Sequence, residues 1–113
     1  MPRIERYSFG HIVVDGEEAT NDVIVLPGRV VHNWWRRDGH SLVLDDLRDV
    51  LDELPPRLVL GTGAYARMQP DPEALRQLRE HGIEVEALPT AEAVQRYEEL
   101  NPAETAAALH LTC

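Results

Sequence analysis

Ala106-Ala107-Ala108-Leu109-His110-Leu111, followed by Thr112 and Cys113, reads as an apolar strand docked inside a fold, at a place where chains usually fray into solvent. His110, Thr112 and Cys113 then sit on or just past a strand end. Open α/β sheets gather their ligands at such ends. Working back along the chain, Thr90 is expected to cap a helix carrying Val94, Tyr97 and Leu100 on one face, stopped by Asn101-Pro102. Before it, residues 83–88 read as a strand alternating Ile83, Val85 and Ala87 against Glu84, Glu86 and Leu88. Asp71-Pro72 is a helix start, Leu75 and Leu78 mark its buried face, and His81-Gly82 ends it. Leu58-Val59-Leu60 is a short, wholly apolar strand. Strand–helix–strand–helix–strand is the signature of crossover units in a largely parallel sheet covered by helices.

Upstream the pattern differs. Leu44, Leu47, Val50, Leu51 and Leu54 have the spacing of a one-faced helix, halted by Pro55-Pro56. Residues 4–9, 11–15 and 23–26 read as strands, punctuated by Gly10, Gly16 and Asn21-Asp22. Pro27-Gly28 is expected to bend the third strand or set a bulge before Arg29-Val30-Val31 resumes. These amino-terminal strands extend the sheet or cap it as a β-ribbon. Residues 1–113 contain no repeat and no linker, so a single α/β domain is expected.

The 113 residues suffice for a core without disulfide or metal staples. A formal charge of −9 argues against nucleic acid or an anionic membrane as partners, since both require a basic face. All eleven basic residues are arginine, which excludes lysine nucleophiles and Schiff bases. One cysteine cannot close an internal disulfide, no signal-peptide core follows Met1, and no run reaches membrane-span length. A cytoplasmic protein, monomeric or weakly homo-oligomeric, is expected.

Few residues carry chemistry. Gly61-Thr62-Gly63 directly follows an apolar strand, where glycine admits a ligand close to backbone N–H groups. The spacing fits neither a dinucleotide fingerprint nor a phosphate loop, so no cofactor is expected. Trp34-Trp35-Arg36-Arg37 combines stacking surface with planar cations suited to carboxylates. Of the five histidines, none belongs to an HExxH pattern, and a lone cysteine builds no thiolate zinc site, so no metal is expected. His110 and Cys113 would form a nucleophilic pair only if the terminus curled. The acids Asp45, Asp46, Asp49, Asp52 and Glu53 read as a solvated helix face.

Read together, Ser8-Phe9-Gly10, Pro27 before a strand, Trp35-Arg36 with Gly39-His40, Leu60-Gly61-Thr62-Gly63, residues 81–85, Thr90 with Ala93 and Tyr97, and His110-Leu111-Thr112-Cys113 match a known pattern in order. Over essentially its full length the chain resembles the small family of unknown function that includes the adipogenesis-associated protein of animals and a mitochondrial complex I assembly factor. The resemblance implies a three-layer α/β fold with a mixed central sheet of about five strands, one strand running against the others. It implies no enzymatic reaction; animal members are described as assembly or regulatory factors. The assembly-factor branch lacks the His-x-Thr-Cys ending, so the chain looks closer to the adipogenesis-associated branch and a complex I role is not carried over. Trp35, Arg36, His40, Gly61, Gly63, His110, Thr112 and Cys113 match family motifs and, with Thr62, are the candidate ligand-binding residues.

Three functions are thereby open. The first is a non-enzymatic binding or scaffolding domain whose crevice takes a small anionic ligand or a protein partner's carboxylate. The second is an enzyme acting on a small acidic substrate, with Arg36 as anion clamp and His40 or His110 as acid–base. The third is a thiol role for Cys113. Arg36 is preferred to Arg37 because it belongs to the family-matching Trp35-Arg36 pair. One concave surface is expected to hold Arg36, His40 and the 61–63 turn, bordered by His110 and Cys113.

Overall fold

Three consecutive alanines make the middle of the sheet thin enough for layers to close on both faces. In the computed structural model, which describes residues 2–113, the strands are β1 (Ile4–Ser8), β2 (His11–Val14), β3 (Glu17–Ala19), β4 (Val23–Val25), β5 (Val30–Val31), β6 (Ser41–Leu42), β7 (Arg57–Gly61), β8 (Gln69–Pro70), β9 (Glu84–Leu88) and β10 (Thr105–Leu109). Helix α1 (Pro72–Glu80) precedes β9, and α2 (Thr90–Glu99) precedes β10. The central sheet has the order β5-β4-β10-β7-β9. β9, β7 and β10 are parallel, whereas β4 runs antiparallel to β10 and β5 to β4. The sheet is therefore mixed, and β10 is its middle strand.

Strand periodicity sorts the core. Leu58, Leu60, Ala106 and Ala108 join Ile24, Met68 and Leu78 on one face. Val59, Ala107 and Leu109 join Val23, Val25, Val94 and Tyr97 on the other. Strands buried on both faces need uninterrupted apolar sequence, which is what Leu58-Val59-Leu60 and the alanine run supply. Helix α1 lies on the first side, and α2 with the β1-β2-β3 ribbon on the second. This makes three layers. No helix among the described residues is long and apolar enough to cross a membrane.

Several expectations are corrected. The helix expected around residues 44–54 is instead two 3₁₀ turns, Leu44–Leu47 and Leu51–Glu53. Both carboxylate oxygens of Asp46 accept backbone N–H groups, from Arg37 at 3.1 Å and Val43 at 3.0 Å. Such side-chain bonds compete with the α-helical ladder, and Pro55-Pro56 prevents its extension. Leu47 and Val50 are buried all the same. Pro27-Gly28 neither bends nor bulges one strand; it is the two-residue turn of a β4–β5 hairpin, with Leu26 N–H donating to Arg29 O at 2.8 Å. Ala87 is exposed because β9 is an edge strand. Thr90 is the first residue of α2 rather than its cap. Glu17–Ala19 pairs with β2 despite its polar sequence, across an Asp15-Gly16 turn in which both residues have positive φ.

Candidate functional site

The carboxyl ends of β7 and β10 lie side by side, with Gly61 opposite Leu109. Beyond them the chain is locked by Thr90. Its hydroxyl accepts the Gly63 N–H at 2.8 Å and donates to His110 O at 2.6 Å. The neighbouring amides are engaged too: Thr62 N–H donates to Leu88 O at 2.9 Å and Ala64 N–H to Thr112 O at 2.6 Å. Thr62 is buried, and its hydroxyl also donates to Leu88 O. The Gly61-Thr62-Gly63 turn therefore holds neighbouring strands and helix together, and offers none of these donors to a ligand.

Gly63 is essential to that lock. Its φ of +106° is a conformation that side chains disfavour, and an added Cβ would collide with the Cys113 carbonyl and lie 2.9 Å from His110 Cδ2. Gly63→Ala should lower stability by ~3 kcal/mol or more, combining backbone strain with steric displacement. A denaturant midpoint within experimental error of the wild type would refute this close approach.

Asp22, Arg36 and His110 form the polar centre. Asp22 ends the loop before β4, and because β4 is antiparallel to β10 it arrives beside residues 110–111. Arg36 Nη1 donates to Asp22 Oδ2 at 2.7 Å, and Leu111 N–H donates to Oδ1 at 2.8 Å. His110 Nδ1 lies 2.9 Å from Asp22 Oδ2 and 3.0 Å from Arg36 Nη2. With its proton on Nδ1, His110 donates to Asp22 Oδ2, and Arg36 Nη2, itself only a donor, then makes no bond to the ring. Arg36 Nη2 donates to Gly39 O at 3.3 Å, and its guanidinium stacks 4.8 Å above the buried Trp34 ring. Burial alone pushes the Asp22 carboxyl up. Hydrogen bonds from His110, Leu111 N–H and Arg36, with the Arg36 charge, outweigh it and hold the carboxyl below its ordinary range.

The structure thus brings Arg36, Gly63, His110 and Cys113 together, with His110 between the arginine and the glycine turn. His40 is left outside: its ring is exposed and enters none of these bonds, although its neighbour Gly39 touches Arg36. Arg36 does not serve as an open clamp, since its side chain is 4% exposed and already paired with Asp22. Cys113 is half-buried, and its sulfur makes no hydrogen bond to His110 among the described residues. Trp35 is 77% exposed and flanks a groove of about 380 Å³ lined by Asn21, Asp22, Asn33, His110 and Thr112. On its other side a hollow of about 290 Å³ is lined by Arg37 and Arg48 together with the carboxylates Asp45, Asp46 and Asp49.

Asp22 is the site residue that sequence reading misses; Trp34 reads there only as part of a stacking motif and Thr90 only as a helix cap and a family-motif position. In the sequence Asn21-Asp22 reads only as a turn marker. Its distinguishing signal is an acid placed directly before the apolar run Val23-Ile24-Val25.

A three-layer domain with a mixed sheet and a buried Asp–Arg–His cluster at the end of its middle strand defines the structural class. The chain belongs to the family of proteins of unknown function DUF498/DUF598, whose pattern matches residues 4–111. It is similar to a conserved hypothetical protein from Pyrococcus horikoshii OT3, with 31% identity, 98% of this chain and 99% of that one covered, and a TM-score of 0.82. A Bordetella parapertussis protein shares 25% identity at a TM-score of 0.81, covering 98% and 96% of the two chains. A Bordetella pertussis protein described as a Mth938-like domain has the same fold at 21% identity, with 96% and 85% coverage and a TM-score of 0.78.

Proposed function

We propose that this chain is a non-enzymatic binding domain, and that the grooves on either side of Trp35 form its recognition site for a carboxylate-bearing partner. The observation that carries this reading is an indole left 77% exposed beside Arg37, an exposed guanidinium with no ion pair among the described residues. An exposed tryptophan offers a large, rigid contact, and an adjacent arginine adds a planar charge matched to a carboxylate. Arg37 takes over the role expected of Arg36, whose charge Asp22 offsets. The His110-Leu111-Thr112-Cys113 segment supports a place beside the adipogenesis-associated branch, and the single thiol supports a cytoplasmic setting.

The test is a thermal-shift series with di- and tricarboxylates and with peptides ending in Asp or Glu. A ligand that binds only the folded state raises the melting temperature, by an amount that grows with concentration. The expected result is a shift with wild type that Trp35→Ala and Arg37→Gln each abolish. A shift insensitive to both variants, or none at millimolar ligand, would overturn the reading. A second reading, an enzyme with His110 as acid–base, draws on the Asp22–His110 contact. It expects turnover of the bound ligand that His110→Gln removes and Trp35→Ala only weakens.

A further inference from the structure

The groove on the His110 side of Trp35 differs in kind from the hollow on the other. No arginine or glutamate lines it, and its one carboxylate, Asp22, is balanced by Arg36 at 2.7 Å. An ion finds no free countercharge there. What remains are neutral groups that both donate and accept. Asn21 Nδ2 donates to Asn33 Oδ1 at 2.8 Å, which sets the two carboxamides side by side. Asn21 Oδ1, its second N–H and the Asn33 Nδ2 group stay unpaired among the described residues. The Thr112 hydroxyl stays unpaired among them too. His110 Nε2 has no partner either, yet Arg36 Nε is the only unpaired side-chain polar atom sealed from solvent among the described residues, so Nε2 reaches water. With the ring proton on Nδ1, it offers a lone pair. Trp35 is the one exposed ring in this lining.

We propose that this groove binds an uncharged, hydroxylated ring, a pyranose sugar, stacked on Trp35 with its hydroxyls turned to Asn21, Asn33, Thr112 and His110 Nε2. The inference goes beyond the carboxylate reading, which hangs on Arg37 in the other hollow, and does not rest on it. Three features select this ligand. Each hydroxyl donates one hydrogen and accepts two, so hydroxyls on adjacent carbons match carboxamides and a threonine, which also do both. The C–H face of a pyranose turns weakly positive hydrogens to the negative π face of an indole. A nucleobase, aromatic on both faces, is best held between two rings, and only one exposed ring stands here. Size is the third feature. At about 380 Å³ the groove lies near the small end of ligand sites, which suits one ring rather than a chain.

The test is titration of the isotope-labelled full chain with the methyl pyranosides of glucose, galactose, mannose, xylose and fucose, followed by NMR. At least one should move the Trp35 indole and Asn33 side-chain amide signals saturably at millimolar concentration. Tetrahydropyran, the same ring without hydroxyls, should not, because it leaves the groove's polar groups unpaired. Trp35→Ala and Asn33→Gly should each weaken binding at least ~10-fold, as for contact hot spots. Glycine suits the Asn33 φ of +56° and should keep the wild-type thermal transition. Thr112→Val, which replaces the hydroxyl by a methyl, should weaken binding ~5-fold, the worth of one hydrogen bond. Arg37→Gln should leave it unchanged. If carboxylates fail to bind while a glycoside shows this pattern, the carboxylate reading falls and this inference stands. If carboxylates bind through Arg37 and no glycoside gives a saturable shift, the reverse holds. Tetrahydropyran or adenosine binding as tightly as the best glycoside would overturn the inference, as would glycoside binding indifferent to Asn33→Gly and Thr112→Val.

Discussion

A chain ending at Ala107 is expected to show no cooperative unfolding transition. Removing residues 108–113 takes Leu109 and Leu111, both fully buried, out of the second core. Losing even the outer part of such a side chain costs ~2–5 kcal/mol, while a whole domain is stable by only ~5–15 kcal/mol. The truncation also cuts β10, so β4 and β7 lose part of the strand that joins them. Gly10 N–H and the Tyr7 hydroxyl lose Leu111 O, and Asp22 loses Leu111 N–H and His110. Circular dichroism against temperature is the measurement. A sigmoidal transition near the wild-type midpoint would refute the central position of β10.

Asp22→Ala should be the most damaging single substitution in the polar centre, at ~3–5 kcal/mol. That is the usual cost of removing one partner from a buried ion pair, because the other charge stays buried without compensation. Here Arg36 would keep only neutral acceptors, Gly39 O and the His110 ring, and Leu111 N–H would keep no acceptor. Asp22→Ala combined with Arg36→Leu should recover part of the loss, since no charge is then stranded. Acid adds a separate check. A carboxyl held low in the folded state contributes stability that is complete above its unfolded value of ~3.9 and fades as pH falls through the folded value. The stability advantage of wild type over Asp22→Asn should therefore be flat from pH ~7 to ~5 and shrink below pH ~4. An advantage as large at pH 3 as at pH 7 would remove the carboxylate from this role.

What was legible in the sequence follows from how local each signal is. The β7–α1–β9–α2–β10 order could be read because apolar runs, an Asp-Pro start and a His-Gly stop are all local. The 44–54 segment misled because its leucine spacing fits one helix face, while the decision lay with Asp46 reaching backbone groups on both sides of a loop. β3 and the β6–β8 pair were hidden by length: two or three residues held by neighbours carry no period of their own. At the site, a terminal strand and the 61–63 turn were legible as neighbours. Asp22 was not, because its meeting with His110 depends on β4 running antiparallel to β10, which no local pattern encodes. From sequence Arg36 is preferred to Arg37 through its family-matching pair with Trp35, and burial reverses that choice of open cation.

The position of β10 also constrains how the protein is made. Synthesis is vectorial, and the strand at the middle of the sheet leaves the ribosome after both strands that flank it. Until residues 105–111 emerge, β4 and β7 have open edges facing each other with nothing to pair against, and the apolar surfaces above and below them stay uncovered. Long-range pairing of this kind slows folding and leaves strand edges open to wrong partners. The nascent chain should therefore remain protease-sensitive until β10 emerges and then become resistant in one step.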